Sequence, residues 1–311
     1  MKIIQPEAHI LPMTGDVLKH VERCGRIAYK SEDAITEDSH VKFIKHLIQR
    51  GHESVLEHGN YVFMVEFFDY QNTKKIYDSL CFEAANELGY SARLRFSGSG
   101  KPNERNIISG NIRAWRDFIR LCRLAGVEVP KWINNTFCSN IAFHDLSLDG
   151  KYKDGYKPAK REDLIPEEQR IHWTETAHFI TDRSISHELV RHRALSPTQE
   201  SQRYVNYSKG RFGGEITFIE PLWVTDGVLR KLWEASAEND EAEYMALSQY
   251  GLQPQQARKV LPNSAKTEVV MTGTIGEWVH FFGLRDADDA DPEMRRIAKP
   301  LHGEFSENYA I

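Results

Sequence analysis

Between His187 and Arg203 the chain reads HELVRHRALSPTQESQR, which places three arginines, two histidines, two serines and two glutamines within seventeen residues. An apolar core cannot absorb so many donors, so any fold this chain adopts must carry the stretch to a surface or a cleft. The planar, permanently charged forks of Arg191, Arg193 and Arg203 can together bind more than one phosphate or carboxylate. Ser196, Thr198, Gln199 and Ser201 add neutral groups suited to a base, a ribose or a phosphate oxygen. The ordinary reading of an arginine-rich run is a solvated face. Here the arginines have no matching run of acids, Pro197 interrupts regular structure among them, and an apolar-patterned segment leads in. Those three features favour a binding site.

At 311 residues the length suits two domains, or one large domain carrying an insertion. With 41% hydrophobic and 27% charged residues the composition is that of a globular chain able to bury a sizeable core. A net charge of -5 argues against a duplex nucleic-acid binder and fits local positive charge aimed at a small anion. MKIIQPEAHILPM has no apolar leader, and no run approaches the roughly 18 residues of a membrane span, so a cytoplasmic protein with no membrane partner is expected. Cys24, Cys81, Cys122 and Cys138 are widely spaced and form no C-x-x-C pair. They are read as small buried hydrophobes, with neither a zinc site nor a disulfide framework.

In chain order, apolar spacing predicts a helix over 16–30, capped by Thr14 or Asp16, and a second over 39–50 with Gly51 as its stop. GHESVLEH (51–58) follows, with two histidines and two glutamates around Ser54. Its spacing fits no metal site, which leaves a polar turn whose His and Glu satisfy each other, or a ligand-facing turn. A strand is predicted over 61–68. From about 69 to 170 the composition shifts to charge and turn formers, which suggests a mostly helical insertion. Inside it Ile108, Ile112, Trp115, Ile119 and Cys122 mark one amphipathic helix. The GSG at 98–100 lacks the setting of a dinucleotide loop. A strand over 172–180 and a helix over 184–192 would deliver Arg191-His192-Arg193 to the end of a sheet, with Glu188 able to share a face with Arg191 and His192. A short strand over 215–220 precedes helices over 228–250, 254–261, 275–284 and from 292. Taken alone, Arg258 reads as a surface charge and Arg285 as a helix C-terminal cation.

RHRALSPTQES resembles the signature of the flavin-dependent thymidylate synthases, in which RHR is followed by seven residues and a serine, here Ser201. GHESVLEH, ARKVLP (257–262) and WVHFFGLR (278–285) extend the similarity in the family's order. The resemblance implies an α/β subunit of the α+β type, a helix-flanked central sheet in a single catalytic domain carrying the insertion, assembled as a homotetramer with sites where subunits meet. It implies methylation of dUMP to dTMP, with carbon from methylene-tetrahydrofolate, hydride through FAD, and NADPH as reductant. It puts His52, Ser54, Arg191, His192, Arg193, Thr274 and His280 on FAD. On dUMP it puts Arg191, Gln199, Ser201, Arg203 and Arg258, helped by backbone groups of Glu200 and Gln202. Arg285 falls against the uracil ring as the polarising residue. Glu188 stands where some members carry Gln, and would contact the nucleotide or instead orient Arg191. Thr274 stands where some carry Asn.

Activating uracil C5 requires either a cysteine adding to C6 or electrostatic stabilisation of charge developing on the ring. The scattered cysteines favour the second route, through Arg285. No His-Asp arrangement is evident to activate Ser201, so a binding role is expected for it. Two other readings remain: a related folate- and flavin-dependent pyrimidine-modifying activity such as dUMP hydroxymethylation, and a non-enzymatic RNA-binding protein, which the acidic total disfavours.

Overall fold

A computed structural model of the chain describes residues 1–13, 15–84, 93–150, 156–210, 213–309 and 311, without the side chains of 81–84. Thr14 and the side chain of Cys81 lie outside the described residues. The first helix, α1 (Val17–Tyr29), is capped by Asp16, whose carboxylate accepts from the N–H groups of Leu18 and Lys19. α2 (Ser39–Gln49) runs as expected to a left-handed Gly51.

The central sheet is antiparallel, in the order β2 (Glu7–Ile10), β7 (Thr174–Asp182), β10 (Lys266–Thr274), β8 (Ser196–Gln199). Its longest pairing, β7 with β10, runs nine residues from Thr174↔Thr274 to Asp182↔Lys266. One face presents Ala177, Phe179, Val269 and Met271 to three helices. These are α7 (Arg183–Leu189), α10 (Ile275–Arg285) and α11 (Pro292–Asn308), which contribute Leu189, Trp278, Phe281 and Ile297 to the shared core. The other face packs on α1 through Val270, Cys24 and Ile27. Helices thus flank a central sheet, the mixed class expected.

β10 escapes the sequence reading because eight of its nine residues are buried, so polar and apolar residues do not alternate between solvent and core. Its inward polar groups join a buried chain on the α1 side. His20 Nε2 lies 2.8 Å from Thr176 Oγ1, and Thr176 Oγ1 lies 2.7 Å from Thr272 Oγ1. His58 then bridges Thr272 and Thr198 through its two ring nitrogens, at 2.7 Å each. A third buried imidazole, His172, sits between Ser97 and Ser109.

Burial pulls His20 and His172 down to about 4 and His58 to about 3, so all three are neutral when folded. The unfolded chain takes up these protons near pH 6.5 and the folded chain does not, so stability is lost as pH falls from about 6.5 towards 4. The thermal midpoint is expected to drop over that window, and the drop should be shallower in His58→Gln once its lower baseline is subtracted. A midpoint flat from pH 7 to 4.5 would refute this.

The second sheet, also antiparallel, runs β4 (Arg95–Ser97), β5 (Ile107–Asn111), β3 (Asn60–Val65), β6 (Tyr156–Pro158). The segment expected to be mostly helical therefore also contributes three strands beside β3. Ile108, expected on a helix, pairs with Phe63, and α4 (Ile112–Leu124) begins one turn later behind its Asn111 cap. The strand expected to reach residue 68 stops at Val65, where α3 (Phe67–Ala84) takes over. α5 (Lys131–Phe137) and α6 (Pro166–His172) complete this half. Its own core gathers Phe63, Trp115, Trp132 and Phe137 in edge-to-face and tilted contacts. A third, smaller unit pairs β1 (Lys2–Ile4) with β9 (Thr217–Ile219) in parallel beneath α8 (Gly227–Gln249) and α9 (Pro254–Ala257).

Candidate active site

The RHR residues lie in a turn after α7 rather than on the expected helix. α7 starts at an Asp182 cap, whose carboxylate accepts from Ile185 N–H at 2.8 Å, and ends at Leu189. Leu189 and Leu195 are buried and pin the two ends of the turn, which leaves Arg191 and Arg193 exposed between them. The chain then enters β8. Pro197 does not break that strand, because β8 is an edge strand that pairs on one side only.

His192 is half-buried, its ring 4.8 Å from that of Phe281. Its Nε2 accepts from Arg285 Nε at 2.7 Å, while Arg285 Nη1 donates to Glu188 Oε2 at 2.5 Å. Burial first, then the charges of Arg285, His280 and Arg191, pull His192 down to about 4. The imidazole is thus a neutral acceptor and holds Arg285 without opposing its charge. Glu188 does not orient Arg191, as one expectation had it; it pairs with Arg285, which α10 brings within reach from its last turn. His280 is exposed on α10 beside this cluster. Thr274 is buried at the N-cap of α10, and its hydroxyl accepts from Glu277 N–H while Glu277 returns a bond to Thr274 N–H.

Beyond β8 the loop is tightly held. Gln199 donates to Ser186 Oγ at 2.8 Å and Thr267 Oγ1 at 3.2 Å. The backbone N–H groups of Glu200 and Ser201 go to the carbonyls of Glu268 and Ala28. The Glu200 side chain is buried against Tyr207 and Lys266, at 2.7 and 3.0 Å. Ser201 is half-buried, and Gln202 is buried with its Nε2 lacking any partner. The exposed Arg203 lies 5.6 Å from the Tyr204 ring, Tyr204 packs on Tyr29, and Tyr29 OH meets His52 Nδ1 at 3.1 Å. That path joins the loop to the GHESVLEH turn, where Ser54 is exposed.

The histidines and glutamates of that turn do not satisfy each other. Glu53 binds Arg116 and Arg120, and Glu57 binds Arg113 at 2.7 Å and Ser196 Oγ at 2.8 Å. All three arginines stand on α4. Sequence reasoning missed this clamp because Arg113, Arg116 and Arg120, spaced three and four apart, look like the solvated side of an amphipathic helix.

Arg258 is half-buried just after α9, close enough to Arg183 at the start of α7 to help depress that arginine's basicity after burial itself. Arg285 sits at the other end of α7. The two arginines thus meet opposite ends of one seven-residue helix. Arg191, Arg193, Arg203 and Arg258 form no ion pair with a described carboxylate, whereas Arg285 is clasped. Among the described residues no three His, Cys, Asp or Glu side chains group as a metal site, and no helix is long and apolar enough to cross a membrane.

The family model described as thymidylate synthase complementing protein matches residues 9–77 and 172–309. The chain belongs to this family. The two matched blocks of this family member contain the GHESVLEH turn, the RHR turn and α10, and flank residues 78–171. A flavin-dependent thymidylate synthase of Geobacter sulfurreducens is 37% identical over 120 residues, covering 37% of this chain and 49% of that protein. One from Mycobacterium avium is 36% identical over 131 residues, covering 37% and 50%. The chain thus spans about half the length of the curated relatives it matches. Among solved structures, a UMP/dUMP methylase PolB from Streptomyces cacaoi bound with 5-Br dUMP aligns over 99% of this chain and 93% of its own, with 14% identity and a TM-score of 0.41.

Proposed function

We propose that this family member is a flavin-dependent thymidylate synthase that methylates dUMP to dTMP, taking carbon from methylene-tetrahydrofolate and reducing equivalents from NADPH through FAD. The observation that carries the reading is the state of five arginines at the family's ligand positions. Four have no acidic partner among the described residues, and the fifth, Arg285, is held by Glu188 and a neutral His192. Charged donors left unpaired at a turn suit an anionic ligand, and several of them suit more than one phosphate.

The donor set fits FAD. Arg191 and Arg193 are exposed at the turn, His52 and Ser54 stand on the neighbouring one, and His280 projects from α10 beside His192. When bound, the flavin would supply hydride. Gln199, Ser201, Arg203 and Arg258 would hold dUMP, with Arg191 reaching both ligands, and the orphaned amide of Gln202 is a ready donor in the same loop. Glu200 and Gln202 would help through backbone groups. Arg285 would stabilise negative charge as it develops on the pyrimidine. The Thr274 hydroxyl and N–H both already serve the capping box of α10, so a flavin contact at Thr274 would share a group that also caps its helix. A second copy of the chain would bring Arg258 and Arg285 to one nucleotide. The exposed apolar side chains Leu222, Trp223, Val228 and Leu232 on and before α8 support assembly, here read as a homotetramer. We read residues 1–311 as one catalytic domain with its insertion at about 69–170, acting on small molecules in the cytoplasm rather than on nucleic acid.

Neither buried cysteine is suited to attack C6. Burial pushes the Cys24 thiol far up and Cys122 up to about 12. Cys138 departs from the expected burial and is exposed, because it closes α5 at the surface with its thiol on the Asn135 carbonyl. Each of the four Cys→Ala variants is expected to keep dTMP formation, and loss of chemistry in one well-folded variant would restore a covalent mechanism. The decisive test of the whole reading is visible absorption of the purified protein, followed by bleaching with NADPH and dUMP and identification of dTMP by mass. A colourless protein unable to take up FAD would refute it.

A further inference from the structure

A cavity of about 720 Å³ lies between the inserted segment and the central sheet. β3, the end of β6 and the turn after it form one side, while β7, the chain after β2 and the end of α11 form the other. Ile10, Met13, Val62 and Trp173 are among its mainly apolar lining, and none of the residues assigned above to flavin or dUMP takes part. A space of this size and character suits a small organic molecule.

Two acceptors in the lining have unused capacity. Glu175 Oε1 takes the Tyr309 hydroxyl and, at 3.2 Å, Trp173 Nε1, whereas Oε2 bonds to no described donor. Arg161 acts on Glu175 only at a distance, because its guanidinium lies over the Tyr309 ring, 4.0 Å from the centroid, and donates to the Asn308 carbonyl. Burial pushes the Glu175 carboxyl above its usual range despite the Tyr309 and Trp173 bonds, which marks a carboxylate short of donors. Asn60 Nδ2 donates to the His172 carbonyl at 3.0 Å, which fixes the amide, and Oδ1 is buried with no partner. Bare acceptors in an apolar space select a ligand that brings N–H donors on one edge. Lys160 and Arg161 stand against Glu162, Glu175 and Glu304, so the lining does not call for a phosphate. The base of a purine or cytosine nucleoside answers this description, since adenine and cytosine present an exocyclic amine where thymine and uracil present a carbonyl.

We propose that this cavity is a second ligand site, and that it takes the aminated base of a nucleoside, with the amine on Glu175 Oε2 and Asn60 Oδ1 as the further acceptor. Pro158 to Glu162 of its lining belong to the stretch between the two family blocks, so the inserted segment helps to build the site.

The test is titration calorimetry of the full chain with adenosine, cytidine and uridine, with folding of each variant checked by circular dichroism. Adenosine and cytidine are expected to bind, and uridine at least tenfold more weakly. In Glu175→Gln the amide oxygen should stay with Tyr309 and Trp173, which puts an NH2 group where Oε2 was. The preference for cytidine over uridine should then fall at least tenfold, a change that loss of packing alone would not produce. Ala159→Phe should abolish binding by filling the cavity while leaving the bonds of Glu175 in place, and it decides the matter alone if Glu175→Gln does not fold. No binding, equal binding of cytidine and uridine, an unchanged preference in folded Glu175→Gln, or full binding in folded Ala159→Phe would each overturn the proposal. FAD uptake and dTMP formation test the functional reading above separately, because none of these groups enters it.

Discussion

Arg285→Ala is expected to cut turnover by about a hundredfold or more while FAD stays bound, since a lost donor at developing charge costs on the order of 10²–10³ in kcat. Arg285 is the arginine whose position is fixed twice over. Glu188 takes Nη1 and His192 takes Nε, so one terminal nitrogen is left without a described partner. Neutrality of His192 is what makes the second contact attractive, and Arg285 itself helps to keep that imidazole uncharged. The same substitution should therefore raise the His192 pKa from its value of about 4, observable by NMR titration. Turnover and flavin absorption measured side by side check the first claim, and turnover retained at the wild-type level would remove Arg285 from the mechanism. An unmoved His192 would show that burial alone sets its basicity.

Arg116→Ala should be the most damaging single change to stability, costing about 3–5 kcal/mol, the range for breaking a buried charge pair by removing one partner. Arg116 is fully buried and donates to both oxygens of Asp145, at 2.7 and 2.8 Å, to Glu53 at 3.2 Å, and to the Ala142 carbonyl. Its loss leaves both carboxylates to Arg120 alone, which lies 2.6 Å from Glu53 and 3.9 Å from Asp145. Urea denaturation measures the cost. A change below about 1 kcal/mol would mean that water replaces the guanidinium at little penalty. Flavin affinity should also weaken, because Glu53 lies between His52 and Ser54 on the turn that Arg116 steadies.

Much of the fold was legible where one face of an element meets solvent. α1, α2, α8, α10 and α11 fall within a residue or two of their expected spans, because each keeps its apolar side at helical spacing. β10 was not legible: Lys266 to Thr274 is buried on both faces, and its threonines and glutamate bond within the core rather than mark a surface. Inserted strands β4, β5 and β6 are three to five residues long, too short to show a period. For the site, residue types announced the anion-binding stretch, but partner choice depends on tertiary distance. Glu188 faces Arg285, 97 positions away, and nothing in the local spacing near Arg191 could indicate that. Likewise the clamp of α4 on the GHESVLEH turn joins positions 56 to 67 residues apart.

The buried chain from His20 to Thr198 has a sense of direction. A threonine hydroxyl has one proton to give and a neutral imidazole one N–H, so pointing every bond along His20, Thr176, Thr272, His58 and Thr198 the same way uses each donor once. His20 Nδ1 is buried without a partner, and leaving it as a bare acceptor costs less than leaving it as a bare N–H. On that network assignment His20 donates from Nε2, each hydroxyl passes its proton onward, and His58 donates to Thr198. The Thr198 hydroxyl then keeps its own proton for an acceptor other than His58, one residue before Gln199. On that assignment the tautomer of a histidine on the first helix sets the polarity of a hydroxyl at the edge of the proposed nucleotide loop.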